Sequence, residues 1–209
     1  MATRAQAATE AAVALDGRVR RGERSRQSIV AALLELVGEG ILQPTAQQVA
    51  ERAGVGIRTV FRHFSETESL YAAMDGRLQA EVRPSLTTLR RTGSLAERIK
   101  RLVRQRATLV ERIAPYKRSA TLQRWRSRFL EQRHEAMQAE LRADLRRWLP
   151  ELKGTPDAIG EAIDLLTSFE TWDRLRGDQR LGPKAAMTVV ERTLDTLLRT
   201  PCRRPGRPR

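Results

Sequence analysis

The sequence predicts an all-α fold, and three observations carry that reading. Apolar residues recur at spacings of three and four, runs alternating β-branched and aromatic residues with polar ones are missing, and helix-start signals punctuate the chain. Two of those signals, Thr45-Ala-Gln-Gln48 and Ser94-Leu-Ala-Glu97, are capping boxes, in which a hydroxyl and a side chain three residues on satisfy each other's free backbone N–H groups. Two others, Thr155-Pro156 and Gly182-Pro183, place proline at the first helical position, where its missing donor costs nothing.

In order along the chain, helices are expected near residues 24–38, 45–53, 57–63, 66–82, 94–113, 118–149, 157–176 and 183–199, with breaks at Pro44, Gly54, Pro84, Gly93, Pro115, Pro150, Gly154 and Gly177. The first helix carries Ile29, Leu33, Leu36 and Val37 on one face, and the second buries Val49, Ala50 and Ala53. Gly54 and Val55 make a tight turn, and Gly56 opens the third helix at a position where glycine is an acceptable cap. The 118–149 helix is expected to bend where its apolar stripe drifts after Met137. Residues 1–20 and the tail TPCRRPGRPR are too polar and proline-broken to be expected in a packed core.

A chain of 209 residues is long enough to close a hydrophobic core without disulfides or metal. Cys202 is the only cysteine, which excludes an internal disulfide and a multi-cysteine metal site and suits a reducing compartment. No apolar run approaches the length of a membrane span, and the N-terminus has no apolar signal core, so a soluble, cytoplasmic protein is expected. The net charge of +14 favours a polyanionic partner, nucleic acid first. Its distribution is uneven: residues 1–76 balance 9 arginines against 9 acids, so the whole excess lies further on.

Three short helices between residues 24 and 63 have the length and turn chemistry of a helix-turn-helix. On the third, Val60 and Phe64 are four apart and face the core, leaving Arg58, Thr59, Phe61, Arg62 and His63 for the exposed side. Guanidinium, hydroxyl, aromatic and imidazole groups on a short helix suit phosphates and base edges in a DNA major groove. Catalysis by a histidine needs a nucleophile or orienting carboxylate, and no such motif, P-loop, dinucleotide fingerprint or metal pair accompanies it. No enzyme, cofactor or metal site is therefore expected.

The stretch TAQQVAERAGVGIRTVFRHFSETESL, Thr45 to Leu70, resembles the signature of the TetR/AcrR-type transcriptional regulators, and RSRQSIVAALLELVGEG resembles that family's first helix. The resemblance implies an N-terminal three-helix helix-turn-helix DNA-binding domain followed by a larger helical effector-binding and dimerisation domain. It further implies that Thr45 caps its helix against a phosphate, that Arg58 and Thr59 look into the groove, and that Phe61 and His63 take the places of a backbone-contacting aromatic and histidine. Three residues depart from the pattern: Phe61 replaces the usual tyrosine, Gly56 a common serine cap, and Thr67 a frequent lysine. Weaker phosphate anchoring follows, and Arg18, Arg20, Arg21, Arg24 and Arg26 are placed to compensate from a flexible arm spanning residues 1–23. The tail RRPGRPR, within residues 200–209, contains a Gly-Arg-Pro element of minor-groove hooks but has Pro205 where arginine normally precedes it.

The DNA-binding domain is thus expected at 24–72 and the effector and dimerisation domain at 73–199. Residues 77–153 hold 20 basic against 8 acidic side chains, most of which must be a solvated surface. At about 100° per residue, Leu95, Ile99, Leu102, Val110 and Ile113 form an apolar arc with Arg106 near its middle. Leu122, Trp125, Phe129 and Ala136 form another arc, with Arg133 inside it. An arginine in an apolar stripe needs a partner. Either Glu170, Asp173 or another acid pairs with it, or an anionic small-molecule effector held by Arg106, Trp125, Phe129 and Arg133 does.

The segment SFETWDRLRGDQRLGPKAAMTVVERTLDTLL is similar to the terminal helix pair through which such regulators dimerise. Its apolar faces, with Leu165, Leu166, Phe169, Trp172, Val189, Val190, Leu194 and Leu197, suit a four-helix bundle between two copies. The expected function is a ligand-released repressor that binds an inverted-repeat operator in double-stranded DNA as a homodimer. The alternative is an arginine-rich architectural protein that coats DNA without sequence preference.

Overall fold

A computed structural model describes the backbone of residues 2–64, 67–87 and 91–199, and the side chains of residues 19–62, 68–82 and 91–199. Every regular element among them is helical: α1 (Ala2–Gly38), α2 (Ala46–Ala53), α3 (Ile57–Phe64), α4 (Thr67–Thr87), α5 (Leu95–Gln123), α6 (Arg128–Trp148), α7 (Asp157–Leu166), α8 (Phe169–Arg176) and α9 (Pro183–Arg199). Short 3₁₀ turns occupy Arg124–Arg126 and Pro150–Gly154. No helix among the described residues is long and apolar enough to cross a membrane.

Several boundaries differ from the sequence reading for local reasons. α1 reaches back to Ala2, so the arm expected before residue 24 is helical; its many alanines are strong helix formers, no proline precedes Gly38, and Gly17 and Gly22 are carried within the helix. Pro84 and Pro115, expected as breaks, lie inside α4 and α5. Proline deletes one i→i−4 hydrogen bond and strains the preceding turn, yet a long helix with a buried face absorbs that loss. The expected 118–149 helix is instead two, because the chain tightens at Arg124–Arg126 and restarts where Ser127 Oγ accepts a hydrogen bond from Leu130 N (3.2 Å). Likewise 157–176 is two helices, divided where Ser168 Oγ accepts from Thr171 N at 3.2 Å as the N-cap of α8. Pro183 opens α9 as the sequence predicts.

The chain forms two compact units. The first comprises Met1–Gln79 and Pro115–Leu130, the second Ala80–Ala114 and Glu131–Arg209. The first unit's core gathers Ile29, Leu33 and Leu36 of α1, Val49 and Ala50 of α2, Val60 of α3 and Leu70 of α4, with Tyr116 packed against it. Gly38 ends α1 under that tyrosine, where an added Cβ would meet the hydroxyl at 3.1 Å.

The second unit's core is built from Ile99, Leu102 and Val103 of α5, Leu145 and Trp148 of α6, Ile163 of α7, Trp172 and Leu175 of α8, and Val190 and Leu194 of α9. Its polar interior is held by arginines. Arg98 donates to the Trp148 carbonyl (2.7 Å) and forks onto Glu151, while Arg106 donates to the Leu141 carbonyl (2.7 Å) and to Asp144 (3.4 Å). The Glu151 carboxyl is held below its ordinary range by the Arg98 hydrogen bonds, and burial lowers the Arg106 pKa against the pull of Asp144.

Candidate nucleic-acid interface

The first unit presents α3 by fixing both helices of the turn. Thr45 caps α2 reciprocally: Gln48 N donates to Thr45 Oγ1 (3.2 Å) and Thr45 N to Gln48 Oε1 (2.8 Å). α2 ends at Gly54, whose φ of 65° lies in the left-handed region that glycine enters without strain. Val55 N then closes onto the Ala50 carbonyl (3.1 Å), and the Gly56 carbonyl accepts the first bonds of α3, from Thr59 N (2.8 Å) and Val60 N (3.3 Å).

Two arginines lock this turn to its neighbours. Arg52 on α2 forks onto Glu39 with bonds of 2.8 and 2.9 Å and touches Glu35 at 3.4 Å, pulling α2 against the end of α1. The Glu39 carboxyl is held below its usual range by the Arg52 hydrogen bond. Arg26 donates to the Ser69 carbonyl at 3.2 Å, tying α1 to α4. That guanidinium, expected to reach DNA, serves as an internal strut.

On α3 itself Val60 is completely buried, which fixes the helix's roll. Arg58, Phe61 and Arg62 are consequently exposed, and Thr59 is half-buried. Phe61 is 58% exposed, so its ring stands on the same outer side of α3 as Arg58 and Arg62. The backbone of His63 and Phe64 continues α3, but their side chains, and that of Thr67, lie outside the described residues. Arg24 is exposed on α1, its Nε donating to the Arg20 carbonyl (3.4 Å), and Arg18 lies outside the described side chains.

The residues expected around an effector divide between the units. Arg106 is 7% exposed in the second unit, and the acid that meets it is Asp144, not Glu170 or Asp173. Asp144 also receives Arg91 (3.0 Å) and Arg147 (3.3 Å). Arg133, in the same unit, lies 3.7 Å from Glu140. Trp125 and Phe129 belong to the first unit, where Trp125 is 83% exposed and Phe129 half-buried, its backbone N–H donating to Glu68 (2.7 Å). The apolar arc read through Leu122, Trp125, Phe129 and Ala136 does not form, because the 3₁₀ turn changes the period partway along it.

Of the expected dimer residues, Trp172, Val190 and Leu194 are buried in the second unit's own core, while Leu166, Phe169 and Leu197 are partly buried against it. Trp172 Nε1 also donates to Glu111 at 2.9 Å. Among the described residues, the large apolar side chains left exposed there are Leu165 (63%) and Val189 (41%).

A buried-faced helical turn that displays a cationic, aromatic helix defines a helix-turn-helix protein of the nucleic-acid-binding class. The model of the bacterial regulatory proteins of the tetR family matches residues 29–74, which cover the end of α1, all of α2 and α3, and the start of α4. Residues 29–74 of this chain are thus similar to the helix-turn-helix segment of the tetR-family regulatory proteins. Its fold resembles the crystal structure of a transcriptional regulator from Rhodococcus sp. Rha1, with a TM-score of 0.57 at 17% identity over 85% of this chain and 95% of that one. No curated protein matches the chain.

Proposed function

We propose that the protein is a cytoplasmic repressor that binds an inverted-repeat operator as a homodimer and is released by a small molecule. The observation that carries this reading is α3: one face locked by Val60, the other offering Arg58, Phe61 and Arg62 to a major groove. Thr45 and Thr59 supply hydroxyls at the start of α2 and on the flank of α3, and Gly56 lets the backbone approach a phosphate closely. Arg24 extends the contact from α1.

One short helix reads too few base pairs for selectivity, so two copies related by a two-fold axis are needed, reading half-sites on successive turns. Leu165 and Val189, exposed on α7 and α9, give the second unit an apolar face for that pairing, backed by the partly buried Leu166, Phe169 and Leu197. Release follows from a ligand that favours a dimer geometry whose recognition helices no longer match the groove spacing.

Selection of bound duplexes from a random library tests the reading. An inverted repeat should emerge, and its enrichment should vanish when Arg58, Thr59 and Arg62 are replaced together by alanine. Recovery of unrelated sequences with a steep salt dependence would instead indicate binding to the backbone alone.

A further inference from the structure

The first unit contains a cavity of about 560 Å³ directly behind the start of the helix-turn-helix. That volume lies inside the range of roughly 300–1,000 Å³ common to small-molecule sites. Its apolar wall is formed by Leu33, Leu70 and Met74, and one side is the backbone segment from Leu42 to Thr45 that leads into the cap of α2. A smaller, almost wholly apolar recess shares Val37, Tyr71, Met74, Ser119 and Gln123 with it, so the two are continuous.

Gln123 lines both spaces. Its side chain is only 9% exposed, and its amide makes no hydrogen bond with another described residue. An amide on the cavity wall offers one acceptor and two donors to whatever fills the space. The charged groups at the two spaces are already engaged with the protein: Glu68 accepts from Phe129 N (2.7 Å), Arg126 interacts with the Tyr71 phenol, and Asp75, on the smaller recess, accepts from Gln79. No charged group is left to anchor an ionic ligand, and the lining of the smaller recess is mainly apolar.

We propose that this cavity binds a neutral, mainly apolar small molecule, anchored by one polar group on Gln123, whose entry displaces the Leu42–Thr45 segment and with it α2. The coupling element is a single bond: Ser119 Oγ donates to the Leu42 carbonyl at 2.7 Å, fixing that segment against the far wall of the cavity. A molecule that fills the space pushes on this tie and on the Thr45 cap together, so occupancy and the seating of the recognition helix are linked. The proposal rests on the ligand-released reading above and assigns it a site within the DNA-binding unit itself.

N-phenyl-1-naphthylamine, a neutral aromatic amine whose fluorescence rises in apolar surroundings, is a suitable probe with the full chain. Saturable binding to the unmodified protein is expected. Met74→Trp, which fills the cavity, should weaken it more than tenfold, and Gln123→Leu, which keeps the volume but removes the amide, by roughly threefold to tenfold. Circular dichroism melting confirms that each variant is folded, and Gln123→Leu decides the matter if Met74→Trp does not fold. In parallel, anisotropy of the selected duplex reads release: the probe should free DNA from the unmodified protein and not from Met74→Trp. Probe binding that both substitutions weaken, with DNA retained throughout, would overturn the release reading and leave the site. Release that neither substitution affects, or no saturable binding at all, would overturn the site.

Discussion

Arg52 grips Glu39 with two parallel hydrogen bonds of 2.8 and 2.9 Å, and this fork ties the first helix of the turn to the residue that follows α1. Both groups are solvent-facing, so the pair acts on geometry more than on global stability. Arg52→Met keeps the aliphatic stem and removes the fork. We expect a small fall in melting temperature but a larger loss in DNA affinity, on the order of threefold to tenfold, measured by anisotropy at fixed salt.

Gly56 and Phe61 are positions at which the resemblance implies weaker phosphate anchoring. A Cβ at Gly56 meets nothing within 4 Å, so Gly56→Ser fits and supplies a hydroxyl cap to α3. Phe61 is exposed, so Phe61→Tyr adds a donor for phosphate without disturbing the core. Each substitution should raise affinity severalfold for all duplexes alike, and the double variant should steepen the dependence on salt if new phosphate contacts form. Unchanged binding by both would place α3 away from the backbone.

The pair Arg106–Asp144 is a largely buried ion pair of the second unit. Asp144→Asn leaves a guanidinium that is 7% exposed without its carboxylate, and should cost about 3–5 kcal/mol by urea unfolding. Arg106→Met should cost less, because Asp144 keeps Arg91 and Arg147. The double variant should recover part of the loss, and the cycle measures the coupling.

Acid should loosen the same unit through Glu151. Its folded pKa lies below the ordinary carboxylate value because Arg98 donates to it. Its contribution is therefore fully present above that ordinary value, about 4.3, and is lost as pH falls through the lower folded one. Melting temperatures of the unmodified protein and of Glu151→Gln should differ at neutral pH and converge as the pH is taken down through the lowered folded pKa.

Leu165 and Leu194 separate pairing from folding. Leu165 is 63% exposed, so Leu165→Glu should leave the monomer's melting nearly intact and shift sedimentation toward single chains. Leu194 is completely buried, so Leu194→Ala should cost about 2–5 kcal/mol whatever the state of assembly. A Leu165→Glu protein that still sediments as two chains would move the interface elsewhere.

What the sequence disclosed and what it hid follow one physical division. The turn was legible because its signals are local: a capping box between Thr45 and Gln48, a left-handed glycine at 54, and Val60 spaced to face inward. Ser127 and Ser168 were equally local N-caps, but each sits within a continuous apolar pattern, and the pattern hid the restart. The burial of Arg106 could be read from its helix, whereas its partner, 38 residues along, could not. Arg26 was visible as a cation and not as a strut, because the Ser69 carbonyl it meets is 43 residues away. The apolar stripe of α9 was plain, yet periodicity does not say which part of it the chain's own core consumes, and Val190 and Leu194 went to the core.

The most direct test of the account is equilibrium anisotropy with a selected inverted-repeat duplex and a scrambled duplex of equal composition, at one fixed salt concentration. The account predicts at least a hundredfold preference for the inverted repeat, reduced to nearly none when Arg58, Thr59 and Arg62 are all alanine. Equal affinity for both duplexes, or a preference that survives that triple replacement, would contradict it.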